Sequence, residues 1–470
     1  MGRNEGSQVS RADWLVRANA FAHSVGVLEG RVAFVGCELI VGSPASSRTD
    51  LHPPYSLDDF MWHVPVSSLL TILCALTSSL PGQDLSELVE RADVQRALEH
   101  IDAHRTETAA FLAEIGGIIS PSGEEHARAR AVAARMRQIG LQEVVVDEQP
   151  NVVGVLPGRS DKALVFVATL DDLATVAQNQ REAAVPPRVE ETRVVGPGTN
   201  TSLTSAAILA AAQALIESGI RPEYNLVFAA VAQEETGLVG MKALFAQWRD
   251  RAIAFVDVLG DGRSISYGAI GIHWWKVVAR GPAGHTLGGG LPNVNQGIAR
   301  AVDRILQLPH PIEARDARTR INIAQIHSGA VFNHKPATGW FSLDVRSMDG
   351  DVIEAIETEV RKVLAQVGEE TGTQLEMEPF QLTPGGQIEG MEESKLVLNA
   401  AAVSRFVLGE EPRLGNSGSS NMNVAIGAGF PAIGLGGSRG GARGQPDEWA
   451  DIDGMLRTAK HVLLLGLSMR

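Results

Sequence analysis

The chain has 470 residues, 44% hydrophobic and 20% charged, enough to bury a sizeable core in two domains and too apolar for a disordered segment. A formal net charge of -14, with no basic run, excludes nucleic acid as the main partner, because phosphate binding rests on clustered Lys and Arg. The only cysteines are Cys37 and Cys74, so neither a disulfide framework nor a Cys-rich zinc module is available, and any metal falls to His, Asp and Glu.

Residues 1–60 show no sustained helical or strand period and carry the loop-like stretch GSPASSRTDLHPPYS. From Met61 the character changes to an apolar run, Val66 to Leu76, too short to span a bilayer and suited to the apolar region of a secretory signal. One expectation is that translation starts at Met61, with 1–60 non-native or disordered and 61–83 a signal peptide. The mature protein would then be periplasmic or secreted. The other is a cytoplasmic protein in which the run is a buried helix of an N-terminal extension.

From Asp84 the chain alternates helices and strands. Leu85, Leu88, Val89, Val94, Leu98 and Ile101 recur at helical spacing within 85–118. Ser122 with Glu125 three residues on reads as a capping box opening a helix to Met136. EVVVDE and NVVGVLPG read as strands. KALVFVATL at 162–170 and YNLVFAAVA at 224–232 are continuous apolar strands of the kind buried on both faces, separated by a helix at 202–219. This order predicts an α/β domain with a mixed, largely parallel sheet flanked by helices, its first part at 84–271.

Beyond Gly271, IHWWKVVARG, TGWFSLDVRS and QLEMEPFQL read as strands, with helices at GIARAVDRILQL and at 352–372. Their order suggests an α+β lid over 272–384, inserted before the larger domain resumes at 385–470. The resumed part runs from KLVLNAAAVSRFVLG through the loop GNSGSSNMN and the strand FPAIGLG to a final helix at 453–469.

Five segments then fall in a telling order: GPAGHT at 281–286, NHKP at 333–336, LDVRS at 343–347, NSGSSNMNVAIGAGFPAIGLG at 416–436 and GGARGQPDEW at 440–449. Together they resemble the aminoacylase/carboxypeptidase-G family of two-zinc peptidases, which includes succinyl-diaminopimelate desuccinylase and tripeptide aminopeptidase. The resemblance covers nearly all of 110–470 and implies a two-zinc catalytic domain with an inserted lid through which many members form homodimers.

The resemblance also implies site residues. Asp171 is the carboxylate that orients a first zinc ligand, but the ligand position itself is Thr169. The metal-bridging Asp falls at Thr201 and the last His ligand at Gly444, and neither residue supplies an ionised donor. QEETG offers Glu234 as general base and Glu235 as zinc ligand. A further carboxylate ligand aligns with Leu259, leaving Asp261 by a small shift, or Asp257, as candidates. Lid His285 is expected to reach the reacting carbonyl of a neighbouring subunit. Asn333 and Gly418 match substrate-pocket positions. Arg346 is open between holding a substrate carboxylate and an internal ion pair with Asp344 or Asp349. Trp274 and Trp275 read as lid packing.

Two readings follow. In the first, a divergent relative with a degenerate metal site binds a peptide or acylated amino acid, with Glu234, Asp171 and His285 left for metal-free chemistry and no cofactor. In the second, a working amide-bond hydrolase keeps zinc on Glu235, on Asp261 or Asp257, and on a ligand that the motifs do not reveal.

Overall fold

The computed structural model describes residues 81–470 apart from 291 and 310–316, with the backbone only for 81–84. The expectations for 1–60 and most of those for 61–83, the start site and signal among them, lie outside the described residues.

Three helices, Pro81–Glu90, Ala92–Ala103 and Arg105–Gly116, occupy the first predicted helical stretch. The next helix starts at His126 rather than behind Ser122. The capping box does not form. Ser122 Oγ instead donates to Asp171 Oδ2 at 2.6 Å, while Glu125 Oε1 accepts from the backbone N–H of Gly123 at 2.8 Å and of distant Gln233 at 3.0 Å. Two residues that pattern as a local cap are thus spent on a tertiary junction.

The main sheet has eight strands in the order Gln142–Val146, Val152–Leu156, Tyr224–Val231, Ser160–Thr169, Ala252–Val258, Ala432–Gly436, Ser264–Ser266 and Arg413–Gly415. Its centre is parallel: Ser160–Thr169 pairs in parallel with Tyr224–Val231 and Ala252–Val258, and Ala432–Gly436 continues that direction beside Ala252–Val258. Apolar side chains on both faces of these strands explain their unbroken apolar runs. On one face, Phe166 and Phe228 stack with centroids 5.9 Å apart, beneath helices Thr199–Glu217 and Ile452–Ser468. On the other, Phe245 and Phe255 pack with Met241, Leu244 and Met422. Thr199–Glu217 is buried nearly all round, as its Ala-rich, weakly amphipathic sequence demands.

The inserted lid is built on a second, antiparallel sheet in which Gly271–Arg280 lies between Thr338–Ser347 and Gln374–Thr383. Strict alternation along Thr338–Ser347 sends Phe341, Leu343 and Val345 against helices Val294–Leu306 and Gly350–Thr371, which form a separate apolar cluster. Chain entry and exit meet at Gly271 and Gly385, where a Cβ on Gly385 would run into the Gly271 backbone.

Candidate active-site cleft

In sheets of this kind, ligands bind beyond the carboxyl ends of the parallel strands. Four such ends converge here. Ser160–Thr169 leads into Asp171 and Asp172, Tyr224–Val231 into Gln233–Glu235, Ala252–Val258 carries Asp257, and Ala432–Gly436 leads into the loop of Arg439 and Arg443. The Gln233–Leu238 turn is strained at both ends, with φ of 54° at Gln233 and 59° at Leu238, left-handed values that neither side chain favours.

One side of the cleft is a closed network. Asp171 is buried, and its oxygens accept from the backbone N–H of Glu234 at 2.9 Å and of Glu235 at 3.1 Å, besides Ser122. It therefore fixes the Glu-Glu turn directly. Asp172 forms a fully buried ion pair with Arg128 at 2.6 Å, and Arg128 also donates to the carbonyls of Leu170 and Ile118. Burial pushes the Asp172 pKa up, against the pull of Arg128. Glu448 is buried at the start of helix Thr199–Glu217. Its Oε1 accepts from Gly198 and Asn200 N–H, and its Oε2 from Gly444 N–H, each at 3.0 Å. A carboxylate at a helix N-terminus is favoured by both the free N–H groups and the dipole.

The other side is acidic. Burial raises the Glu234 pKa to about 8, with Glu235, Asp257 and Asp171 adding to the effect. Burial also raises Asp257 to about 6, offset in part by Ser420, Asn421 and the Met422 N–H facing it. None of those donors reaches hydrogen-bond geometry with either Asp257 oxygen. Burial raises Glu235 too, while Arg443 Nη2, 2.7 Å from its Oε1, pulls it down.

The expected ligand positions are engaged or empty-handed. Thr169 Oγ1 accepts from Asn421 Nδ2 at 3.2 Å, the buried Thr201 hydroxyl faces Asp172 without reaching hydrogen-bond geometry with any of the described residues, and Gly444 has no side chain to offer. Asp261 does not join Glu235. It is buried between Arg263 and Arg457, at 3.3 and 3.2 Å, so its charge is already spent on an ion-pair cluster beside His461. Of the two aspartates weighed for that position, Asp257 is the one in the acidic group. Among the described residues, no three His, Cys, Asp or Glu side chains come together as a metal-holding group.

In the lid, His285 and Asn333 are brought together: His285 Nε2 lies 3.1 Å from Asn333 Nδ2, across the paired Gly284–His285 and His334–Lys335 strands. Both are exposed, and among the described residues no hydrogen bond or ion pair joins either to the Glu234–Glu235 turn. Arg346 takes the internal option, donating from Nε at 3.0 Å and Nη2 at 3.1 Å to Asp344. Gly418 pairs with Ala269 at the chain crossing, where a Cβ would strike Met422 and Ser266. Trp275 is lid core, whereas Trp274 lies on the open face of the lid sheet near Phe380 and Arg346.

Sequence reasoning missed Arg128, Glu448, Arg439 and Arg443. Arg128 sits in an Ala/Arg-rich helix with Arg130, Arg135 and Arg137, and only its burial sets it apart. The two loop arginines stand inside and beside a recognised segment, and no spacing in the sequence pairs either with a carboxylate two hundred residues earlier.

The family model described as peptidase family M20/M25/M40 matches residues 172–466, more than half of the chain, and the protein belongs to that family. Among solved structures, the aminopeptidase PepT from Bacillus cereus is similar at 20% identity and a TM-score of 0.64, over 77% of this chain and 98% of that one. A Staphylococcus aureus tripeptidase is similar at 19% identity and a TM-score of 0.63, over 78% and 98%. Human carnosine dipeptidase 1 is similar at 13% identity and a TM-score of 0.58, over 80% and 99%. At these identities the likeness is one of fold. No curated protein sequence matches the chain.

Proposed function

We propose that this is a divergent family member whose cleft binds a peptide or an N-acyl amino acid without running two-zinc hydrolysis. The observation that carries this reading is the ion pair of Glu235 with Arg443, which commits the one secure ligand to a cation of the chain itself. Threonine hydroxyls at 169 and 201 are not ionised at neutral pH, Gly444 offers nothing, and Asp261 is held by two arginines. That donor set does not fit two zinc ions, so no step is routed through them. Glu234, with its pKa near 8, holds its proton at neutral pH and faces a bound ligand as a donor rather than as a general base. A homodimer formed through the lid belongs to the same reading, since it would give the exposed His285 and Asn333 a cleft to face.

One observation favours the alternative, a metal-dependent amide hydrolase with non-standard ligands. Among the described residues Asp257 has no donor in hydrogen-bond geometry to either oxygen, and it lies in the field of Glu234 and Arg439. Elemental mass spectrometry of protein purified without chelator, with a zinc titration alongside, separates the two. A folded, metal-free protein that takes up no zinc is the expected result. Two zinc ions per chain, or tight stoichiometric uptake, would overturn the reading.

A further inference from the structure

We infer that Arg439 and Arg443 are the fixed counter-ions of the cleft carboxylates, two guanidinium groups standing in for the positive charge that the family resemblance assigns to metal. The inference rests on the metal-independent reading above and says what replaces the metal.

Glu234 and Glu235 follow Tyr224–Val231 and Asp257 ends Ala252–Val258, the two strands that flank Ser160–Thr169, and carboxyl groups so placed in a partly dry site either keep a proton or need cations nearby. The chain supplies two. Arg443 is bound to Glu235 at 2.7 Å through a single nitrogen, and its other donors have no hydrogen-bond acceptor among the described residues. Arg439 is half-buried and has no carboxylate oxygen within 4.0 Å among the described residues, yet it lies in the combined field of Glu234, Asp257 and Glu235. Those acids offset part of what the cation loses by leaving water.

The loop is built to hold these side chains. Gly440 and Gly441 pair with Ala450 and Trp449, the Arg439 carbonyl accepts from Asp451 N–H at 2.9 Å, and Gly444 N–H is held by Glu448. Between those anchors Ala442 is forced to a φ of 52°. Arg443 directly precedes the position where the resemblance places a His ligand, so the same turn delivers a cation where a relative would deliver a metal donor.

A guanidinium keeps its charge at all working pH values and presents directional N–H donors, but it cannot generate hydroxide from a bound water. The cleft is thereby assembled without metal, repels divalent cations, and meets a ligand's carbonyl or carboxylate oxygens with the unused donors of Arg443.

The test compares wild type with R439Q, R443Q and R439Q/R443Q, following thermal midpoint and Co2+ absorption during titration with cobalt or zinc, with and without chelator. The wild type should respond to neither metal nor chelator. The double variant should melt lower and bind the ions at least about tenfold more tightly, because two repelling charges are gone. R439K/R443K should restore the wild-type behaviour. A cycle over E235Q and R443Q reports even if R439Q/R443Q does not fold: E235Q/R443Q should lose less than the sum of the single losses. Additive losses, or arginine variants that match wild type in stability and metal response, would overturn the inference. Stoichiometric zinc in the wild type, with both arginines intact, is a different failure and sinks the metal-independent reading itself.

Discussion

The two sides of the cleft hold carboxylates in similar numbers and treat them in opposite ways. On the Asp171–Asp172–Glu448 side, every one of these acids accepts from buried donors: backbone N–H groups, Ser122 or the Arg128 guanidinium. On the Glu234–Glu235–Asp257 side, only Glu235 has an ion pair among the described residues, and burial lifts all three pKa values. The first side is architecture, because removing a partner strands a buried charge. On the second, acids that are buried or half-buried stand with incomplete pairing among the described residues. Asp171 joins them, since the N–H groups it binds are those of Glu234 and Glu235.

The sharpest way to break this contrast is at Arg128. R128M strips the buried Asp172 of its cation, so that the acid must either take up a proton or stay charged without an ion-pair partner, and should cost about 3–5 kcal/mol in a urea unfolding titration. R128M/D172N should recover much of that loss. A loss below about 1 kcal/mol would mean that Asp172 is neutral in the folded protein and that the network is not ionic.

Glu448 comes next. E448Q replaces one accepting oxygen by a donor, setting an N–H2 group against either the Gly444 N–H or those of Gly198 and Asn200. The expected loss is about 2 kcal/mol, accompanied by faster amide exchange in the first turn of Thr199–Glu217. Loss of stability with unchanged exchange there would detach Glu448 from the helix start.

On the acidic side the sign reverses. Glu234 has a folded pKa of about 8 against an ordinary value of 4.5, so the folded protein binds the proton more tightly than the unfolded chain. That contribution is full below 4.5 and is lost as pH rises through about 8. E234Q carries no such titration. Relative to wild type it should gain on the order of 2 kcal/mol on going from pH 5 to pH 8, after discounting for partial solvent contact. A difference between the two proteins that stays flat across that window would place Glu234 among ordinary surface acids.

Much of this fold was legible because strand burial on two faces leaves a run that no amphipathic helix produces. Ser160–Thr169 and Tyr224–Val231 were found within a residue or two for that reason. The antiparallel sheet beyond Gly271 was legible in alternating runs such as TGWFSLDVRS, one face of which packs on helices. The cleft was legible only in part, since a charged residue's partner is a tertiary fact. Asp257 and Asp261 lie four residues apart in a Gly-containing strand end, and sequence alone did not say that Arg457, nearly two hundred residues on, claims the second. Ser122 and Glu125 satisfied a local pattern whose hydroxyl and carboxylate were taken by Asp171 and Gln233 instead. Arg443 carried no signal as a lone cation in a Gly-rich loop until its contact with Glu235 was seen.

The smallest effect is the most useful control, because it lies outside both networks. Arg346 binds Asp344 through two nitrogens, but on a lid strand where the pair is 39% and 21% exposed. An ion pair so placed contributes at most about 1 kcal/mol, since solvent screens it and two long side chains lose freedom to make it. R346Q should therefore leave unfolding nearly unchanged, in contrast to R128M, although both remove an arginine from an aspartate. Its informative readout is binding of an N-acetyl amino acid compared with the corresponding amide. Unchanged affinity for the acid would keep Arg346 as an internal partner of Asp344. An at least tenfold loss confined to the acid, about 1.4 kcal/mol, would show that Arg346 exchanges Asp344 for a ligand carboxylate and would bring the lid face into the site.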